Sequence, residues 1–258
     1  MEQIANPFKK AIMAGQQQIG LWSTIRDNAA TEMLAGLGFD WLLLDCEHTA
    51  NDLNSVLSML QAMSAYGAHP VVRPTELNAA EIKRLLDVGA QTLLIPYVQT
   101  VEEAKLAIEA VDYAPRGFRG MGGSTRANRF GTVPDYFTRA REEICLLVQI
   151  ETQKGLDNLD EIAALDGIDG VFIGPADLSA SLGHAGNVRH PDVEAAIRDG
   201  IQRVRALGKP AGFLSVDDAL TAIAVEAGSL FTAIDVDMVA LQRYLRERLQ
   251  TARTSYVR

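Results

Sequence analysis

Eight short apolar runs punctuate the chain at fairly even spacing. They are "IGLW" (19–22), "WLLLD" (41–45), "PVVR" (70–73), "TLLIP" (92–96), "ICLLVQIE" (144–151), "GVFIG" (170–174), "AGFL" (211–214) and "LFTAID" (230–235). Most are almost continuously hydrophobic, as strands covered on both faces are. Between them lie segments whose apolar residues recur every three or four positions. In "NAAEIKRLLDVGA" (78–90), Ile82, Leu85, Leu86 and Gly89 share one face, and the segment closes on a glycine, a common helix stop. "SVLSMLQAMSAYG" (55–67) and "PDVEAAIRDGIQRVRALG" (191–208) read the same way. Eight strands alternating with helices predict one α/β domain over residues 1–258, a (β/α)8 TIM barrel. An open doubly wound sheet is the rival. The even strand count and the lack of a strand-linked GxGxxG favour the barrel.

Two segments fall outside this alternation. Residues 114–142 form one long connection with five glycines and six arginines, the profile of a functional loop. The tail "DMVALQRYLRERLQTARTSYVR" predicts a last amphipathic helix with Leu241, Leu245 and Leu249 along one side. That stripe would close the barrel or pack on a partner chain.

Composition narrows the picture. The chain has 258 residues, is 48% apolar and carries a formal charge of −9. No basic cluster offers a surface for nucleic acid or an anionic membrane. No apolar run approaches the length of a membrane span, and "MEQIANPFKKAIMAGQQQ" lacks the apolar segment of a secretory signal. The two cysteines, Cys46 and Cys145, read as free thiols in a reducing cytoplasm.

The candidate chemistry lies where the runs turn polar. In such a barrel catalytic groups sit at the C-terminal strand ends. Those ends carry Asp45, Glu47 and His48 after the second run, Arg73 on the third, Gln149 and Glu151 on the fifth, Asp177 past the sixth, and Asp235 and Asp237 at the eighth. The opposite ends carry mostly residues such as Gly38, Phe39, Gly89, Ala90 and Gly167. Gln149 and Glu151 are two apart, so they share a face with Leu147, which makes that row inward. An inward carboxylate must be paired or ligated. A salt bridge to Arg73 would satisfy it structurally. With Asp177 at the next strand end, two carboxylates suit an oxygen-ligated Mg²⁺ or Mn²⁺. Zinc is disfavoured, because none of the four histidines has HExxH spacing. Asp177 alone would also serve as a helix N-cap. His48 is the one histidine at a strand end and is a candidate base.

At this point the ordered motifs resemble a known family. "GFDWLLLDCEH", "PVVRP", "IKRLLDVGAQTLLIP", "RGFRG", "FGTVPDYF", "LVQIET", "GIDGVFIGPADLSASLGHAGN" and "HPDV" resemble those of the HpcH/HpaI family of metal-dependent, pyruvate-forming aldolases over roughly residues 18–238. The resemblance implies a TIM barrel assembled as a homohexamer, a trimer of dimers, with the C-terminal helix exchanged between paired subunits. It implies Glu151 and Asp177 as ligands of a divalent metal (Mg²⁺, Mn²⁺ or Co²⁺), and Gln149, Asp177 and the backbone of Ala176 as substrate contacts. Arg73 would stabilise developing charge, His48 would be the base with its basicity raised by Asp87, and Trp22 would wall the pocket. The implied reaction cleaves a 4-hydroxy-2-oxo acid reversibly to pyruvate and an aldehyde, in the breakdown of aromatic or sugar acids.

The chain departs from the family pattern at two places. Cys46 stands in "DCEH" where glycine is usual, and Asp235 stands in "TAIDVD" where glycine is usual. Both are expected to narrow or recharge the pocket. The segment "STIRDNAATE" after Trp22 also diverges, where acceptor specificity would be set. Topology complicates the His48–Asp87 pair, since helices of this fold run from the catalytic end back to the other end. Asp87 ends its helix and should lie about 15 Å below its own site, at 1.5 Å per residue. Either a neighbouring subunit supplies Asp87, the preferred reading, or Asp45 of the same chain takes that part.

Three other readings fit the sequence less well. A Schiff-base aldolase needs a lysine in the barrel mouth, and none of the six lysines lies in an inward row. A lyase acting on a coenzyme A ester would need a nucleotide-binding surface that the sequence does not display. A non-catalytic acid-binding barrel would leave the clustered ionisable groups without a purpose.

Overall fold

A computed structural model of the chain describes residues 5–256. Eight parallel strands close a barrel in sequence order. They are β1 (Gln18–Ser23), β2 (Trp41–Asp45), β3 (His69–Arg73), β4 (Thr92–Ile95), β5 (Cys145–Ile150), β6 (Gly170–Ile173), β7 (Ala211–Leu214) and β8 (Phe231–Val236). Each coincides with one of the apolar runs. The periodic segments fold as the helices Leu53–Met63, Ala79–Asp87 and Pro191–Ala206. The barrel reading therefore holds, strand by strand, within residues 5–256. The first four residues of the N-terminal segment and the last two of the tail lie outside that range. No helix among the described residues is long and apolar enough to cross a membrane.

Two cores explain why the strands are hydrophobic on both faces. Leu42, Leu44, Val72, Leu93, Leu146, Val148 and Val171 point outward and pack against the helices. Trp22, Trp41, Leu43, Val71, Leu94, Leu147, Phe172 and Phe231 fill the interior. Gly20 lies against the Trp41 indole, and a Cβ there would come within 2.1 Å of the ring. A side chain would thus evict the largest interior residue. The helix Pro7–Met13 closes the N-terminal end, with Phe8 stacked on His69 at 5.5 Å and set edge-on to Phe231 at 5.8 Å.

The long connection is better ordered than its composition suggests. It holds a 3-10 turn at Arg126–Asn128 and a helix at Tyr136–Glu143. That helix escaped the periodicity reading because Ala140 is its one buried residue. The tail forms the helix Asp237–Tyr256, in which Asp237 alone is buried. Its residues Leu241, Leu245 and Leu249 stay about half exposed, so the stripe does not close the barrel.

Candidate active site

The inward rows turn polar together at the C-terminal end. On β2 the row runs Trp41, Leu43, Asp45. On β3 it runs His69, Val71, Arg73, and after Leu147 on β5 come Gln149 and Glu151. Register places Asp45 beside Arg73, and period-two alternation brings these side chains into one space.

Arg73 organises the site. It is 5% exposed and donates Nε to Asp45 Oδ1 and Nη2 to Asp45 Oδ2, both at 2.8 Å. This two-pronged grip fixes the guanidinium plane. Trp22 lies below it, with Cζ 4.8 Å from the ring centroid and the indole N–H donating to Asp45 Oδ2 at 3.4 Å. Trp22 thereby holds Arg73 by cation–π attraction. At the third corner of the guanidinium, Nη1 donates to Gln149 Oε1 at 3.5 Å.

Around this cation stand more carboxylates than it can neutralise. Glu47 Oε2 lies 2.7 Å from Arg73 Nη1 but off the N–H direction, so it is buried without a hydrogen bond. Burial pushes the Glu47 carboxyl up, and the negative charges of Asp45 and Asp177 add to the effect against the pull of Arg73. Glu151 is 2% exposed and is pushed up to about 7 by burial first and by the charges of Glu47 and Asp177 next. It accepts from Gln149 Nε2 at 2.5 Å and from the backbone N–H of Tyr97 at 2.9 Å. The alternative in which Arg73 simply satisfies Glu151 by a salt bridge is not what forms, because Arg73 is taken by Asp45 and Glu47. Gly174 makes the space, since a Cβ there would come within 2.5 Å of Glu151 Oε2 and 2.7 Å of Gln149 Nε2.

Asp177 does not cap its helix. The N-cap of Pro175–Ser181 is Gly174, and Asp177 sits exposed in the first turn beside exposed Ala176. It is therefore free to face the site. His48 is also exposed, with Nε2 3.8 Å from Glu47 Oε2. A divalent cation fits this donor set: buried and exposed carboxylates repel one another, one carboxylate oxygen has no hydrogen bond, and glycine clears the approach.

Asp87 is elsewhere in the chain. It ends the helix after β3 and accepts from Arg119 Nη2 at 2.9 Å, and Arg119 stacks on Tyr113. Within one chain the structure does not pair it with His48. The arginines of the long connection share this end. Arg126 donates to the carbonyl of Val88 at 3.0 Å, and Arg126 and Arg129 line a cleft of about 590 Å³ with His69 and Pro7. The long connection thus lies at the N-terminal end of its own barrel, opposite the polar strand ends.

Both departures also act differently than expected. Cys46 points outward into the layer containing Val56, Met59 and Ile82, so it does not narrow the pocket. Burial pushes its thiol up to about 12. Asp235 pairs with Arg243 of the C-terminal helix, so its charge is already met. Asp237 proves more consequential: its carboxylate accepts from Ser23 Oγ, Thr24 N, Thr24 Oγ1 and Ile25 N and thereby clamps the loop after β1. The backbone donor at Tyr97, held at φ +56°, was missed because nothing in "IPYV" marks a left-handed residue.

Comparison with known proteins identifies the family. The model of the HpcH/HpaI aldolase/citrate lyase family matches residues 18–242. A pyruvate aldolase of Rhizobium etli is 51% identical, covering 94% of this chain and 96% of that protein. A 4-hydroxy-2-oxo-heptane-1,7-dioate aldolase of Klebsiella pneumoniae is 52% identical over 92% of this chain and 90% of its own length. The crystal structure of an HpcH/HpaI aldolase/citrate lyase family protein from Burkholderia cenocepacia superposes with a TM-score of 0.93 at 37% identity, covering 96% of this chain and all of that one. The chain belongs to the HpcH/HpaI aldolase/citrate lyase family and is an aldolase, a carbon–carbon lyase.

Proposed function

We propose that the protein cleaves 4-hydroxy-2-oxo acids reversibly to pyruvate and an aldehyde with the help of a divalent metal. One observation carries this reading. A single buried arginine stands against four carboxylates, two of them with raised affinity for protons, with the Gln149 amide beside them. Glu151 and Asp177 would hold the metal. When bound, it supplies Lewis-acid polarisation of the substrate's keto oxygen.

The residues divide the remaining work. Gln149 and the backbone at Ala176 orient the acid end of the substrate. His48 takes the proton of the 4-hydroxyl, the bond between carbons 3 and 4 breaks, and the aldehyde departs. The electron pair moves into the pyruvate fragment, where the Arg73 guanidinium meets the negative charge developing on the keto oxygen. Its fork is already aimed by Asp45 and Trp22, so no reorganisation is required at that moment. Protonation of carbon 3 completes pyruvate.

The reading extends to assembly. The exposed leucines of Asp237–Tyr256 suit a helix exchanged between the subunits of a homohexamer. Asp87, at the far end of its own barrel, would serve the His48 of a neighbour. Incubating pyruvate with a panel of aldehydes, with and without chelation and metal add-back, tests the chemistry. Metal-dependent condensation is expected. Trapping of a pyruvyl-lysine adduct by borohydride would overturn the metal mechanism in favour of a Schiff base.

A further inference from the structure

The loop after the Asp177 helix carries a cluster that the aldol chemistry does not use. Among the described residues, His184, His190 and Asp192 bring one ligand atom each within 4.8 Å of one another. The two imidazoles lie face to face, with centroids 3.4 Å apart and planes 13° from parallel. Asp192 Oδ2 addresses both, at 3.3 Å from His184 Nε2 and 3.6 Å from His190 Nδ1. We propose that His184, His190 and Asp192 form a second metal site, selective for a borderline transition ion such as Zn²⁺.

Three features argue for it. The spacing fits: a tetrahedral zinc with bonds of about 2.0–2.2 Å sets its ligand atoms about 3.3–3.6 Å apart. The proton inventory leaves a ligand. His190 Nδ1 accepts from the backbone N–H of Asp192 at 3.3 Å, so this nitrogen is unprotonated, and an ion would take its lone pair in exchange for that long bond. The scaffold is also in place. The backbone N–H of His184 donates to Ser179 O at 2.7 Å, and His190 stands at the N-cap position of the helix Pro191–Ala206. The adjacent cation does not compete, because Arg189 is bound to Glu194 Oε1 at 2.9 Å and Asp217 Oδ1 at 3.0 Å. Two imidazoles select Zn²⁺ over Mg²⁺, which prefers oxygen ligands. An ion here would staple the segment following Asp177 to the start of the next helix.

The test titrates Zn²⁺ into untagged protein held in excess Mg²⁺, with the equivalents bound per chain read by calorimetry. Glu151→Gln, which removes a ligand of the oxygen-rich site, should keep one zinc equivalent. His184→Ala/His190→Ala should lose one equivalent relative to the unaltered chain, and each single substitution should weaken that equivalent at least tenfold. The Mg²⁺-supported activity of the double variant should persist. Hydrogen exchange of residues 182–194 in the unaltered chain should slow with Zn²⁺, a readout independent of any variant. Zinc binding by the double variant equal to that of the unaltered chain, or unchanged exchange in 182–194, overturns the proposal.

Discussion

The two ends of the barrel bury ionisable groups in opposite ways. At the N-terminal end His69 is stacked on Phe8 and bonded to Thr92 Oγ1 at 2.8 Å, and burial pushes its imidazole down to about 3. Cys145 beside it is pushed well up, again by burial. Both groups are neutral, so desolvation costs little. At the C-terminal end Asp45, Glu47, Glu151 and Arg73 are packed together, and the carboxylates outnumber the cation. A fold gains nothing from burying mutually repelling carboxylates unless something else binds there. The difference separates His69 and Cys145, neutral and made for stability, from a crowded set of carboxylates made for a ligand.

The largest effect should come from removing the carboxylate that burial disfavours most. Glu151→Gln should lower kcat/KM about a thousandfold or more, since several kcal/mol of charge stabilisation are lost with the ion. The same change should raise the thermal midpoint of the metal-free protein, because a repelled carboxylate becomes a neutral amide of equal size. Chelated samples compared by calorimetry would check this. A lower midpoint would mean that Glu151 belongs to the structure as much as to the site.

Arg73→Ala should lower kcat about 10²–10³-fold, the usual loss when one stabiliser of developing charge is removed. Exchange of pyruvate's methyl protons with deuterated water should fall in parallel, and its survival would remove Arg73 from that role. Stability should drop by about 3–5 kcal/mol as Asp45 is left buried and unpaired. Adding Asp45→Asn should recover part of that stability and none of the exchange, which separates the two duties of one guanidinium.

Asp87 tests whether the ends are joined across subunits. His48→Ala and Asp87→Asn chains should each be inactive or nearly so, with general-base losses of about 10²–10⁴-fold. Mixed and reassembled, they should regain part of the activity, because some interfaces pair an intact His48 with an intact Asp87. No recovery after proven subunit exchange would leave Asp87 as the partner of Arg119 and nothing more.

How much of this was legible follows from period and topology. Every strand, and the inward facing of Gln149 and Glu151, could be read because apolar alternation on β5 fixes the row through Leu147. The outward facing of Cys46 followed from the same rule. The polar motif "DCEH" masks its parity with Leu42 and Leu44. Other features depend on contacts between distant segments. Asp237 clamping Thr24, and the seating of residues 114–142 on the N-terminal end, carry no local signature. Tyr97 belongs with these, since its backbone alone does the work.

Acid and base should pull the two ends in opposite directions. Glu151 in the folded chain holds its proton up to about 7, against an ordinary 4.5 unfolded. Its favourable contribution to the metal-free protein is therefore full below 4.5 and is lost as pH rises through 7. His69 is the reverse. Its folded value of about 3 lies below the ordinary 6.5, so its contribution is full above 6.5 and is lost as pH falls toward 3. Between about pH 4.5 and 6.5 the two slopes oppose and the stability curve should be flat. Glu151→Gln should leave a curve that rises with pH through that window. Added metal should do the same, because it binds the deprotonated carboxylate. Unfolding midpoints at fixed protein concentration would show whether either slope is absent.

The smallest effect should come from the N-terminal end. In His69→Phe the new ring can keep the parallel contact with Phe8 at 5.5 Å, so the aromatic cluster with Trp41 and Phe231 survives. One hydrogen bond to Thr92 Oγ1 is lost, but that hydroxyl still accepts from Asn6 Nδ2 at 3.0 Å and is not orphaned. The cost should be about 1 kcal/mol in urea unfolding, the net worth of one such bond. The residue lies a full strand length from Arg73, at the other end of β3, so kcat and KM should be unchanged. The acid-side loss of stability should disappear with the imidazole, because its neutrality is what acid removes. A fall in kcat without a fall in stability would show that the N-terminal end reaches the chemistry after all, and the division of duties between the two ends would have to be redrawn.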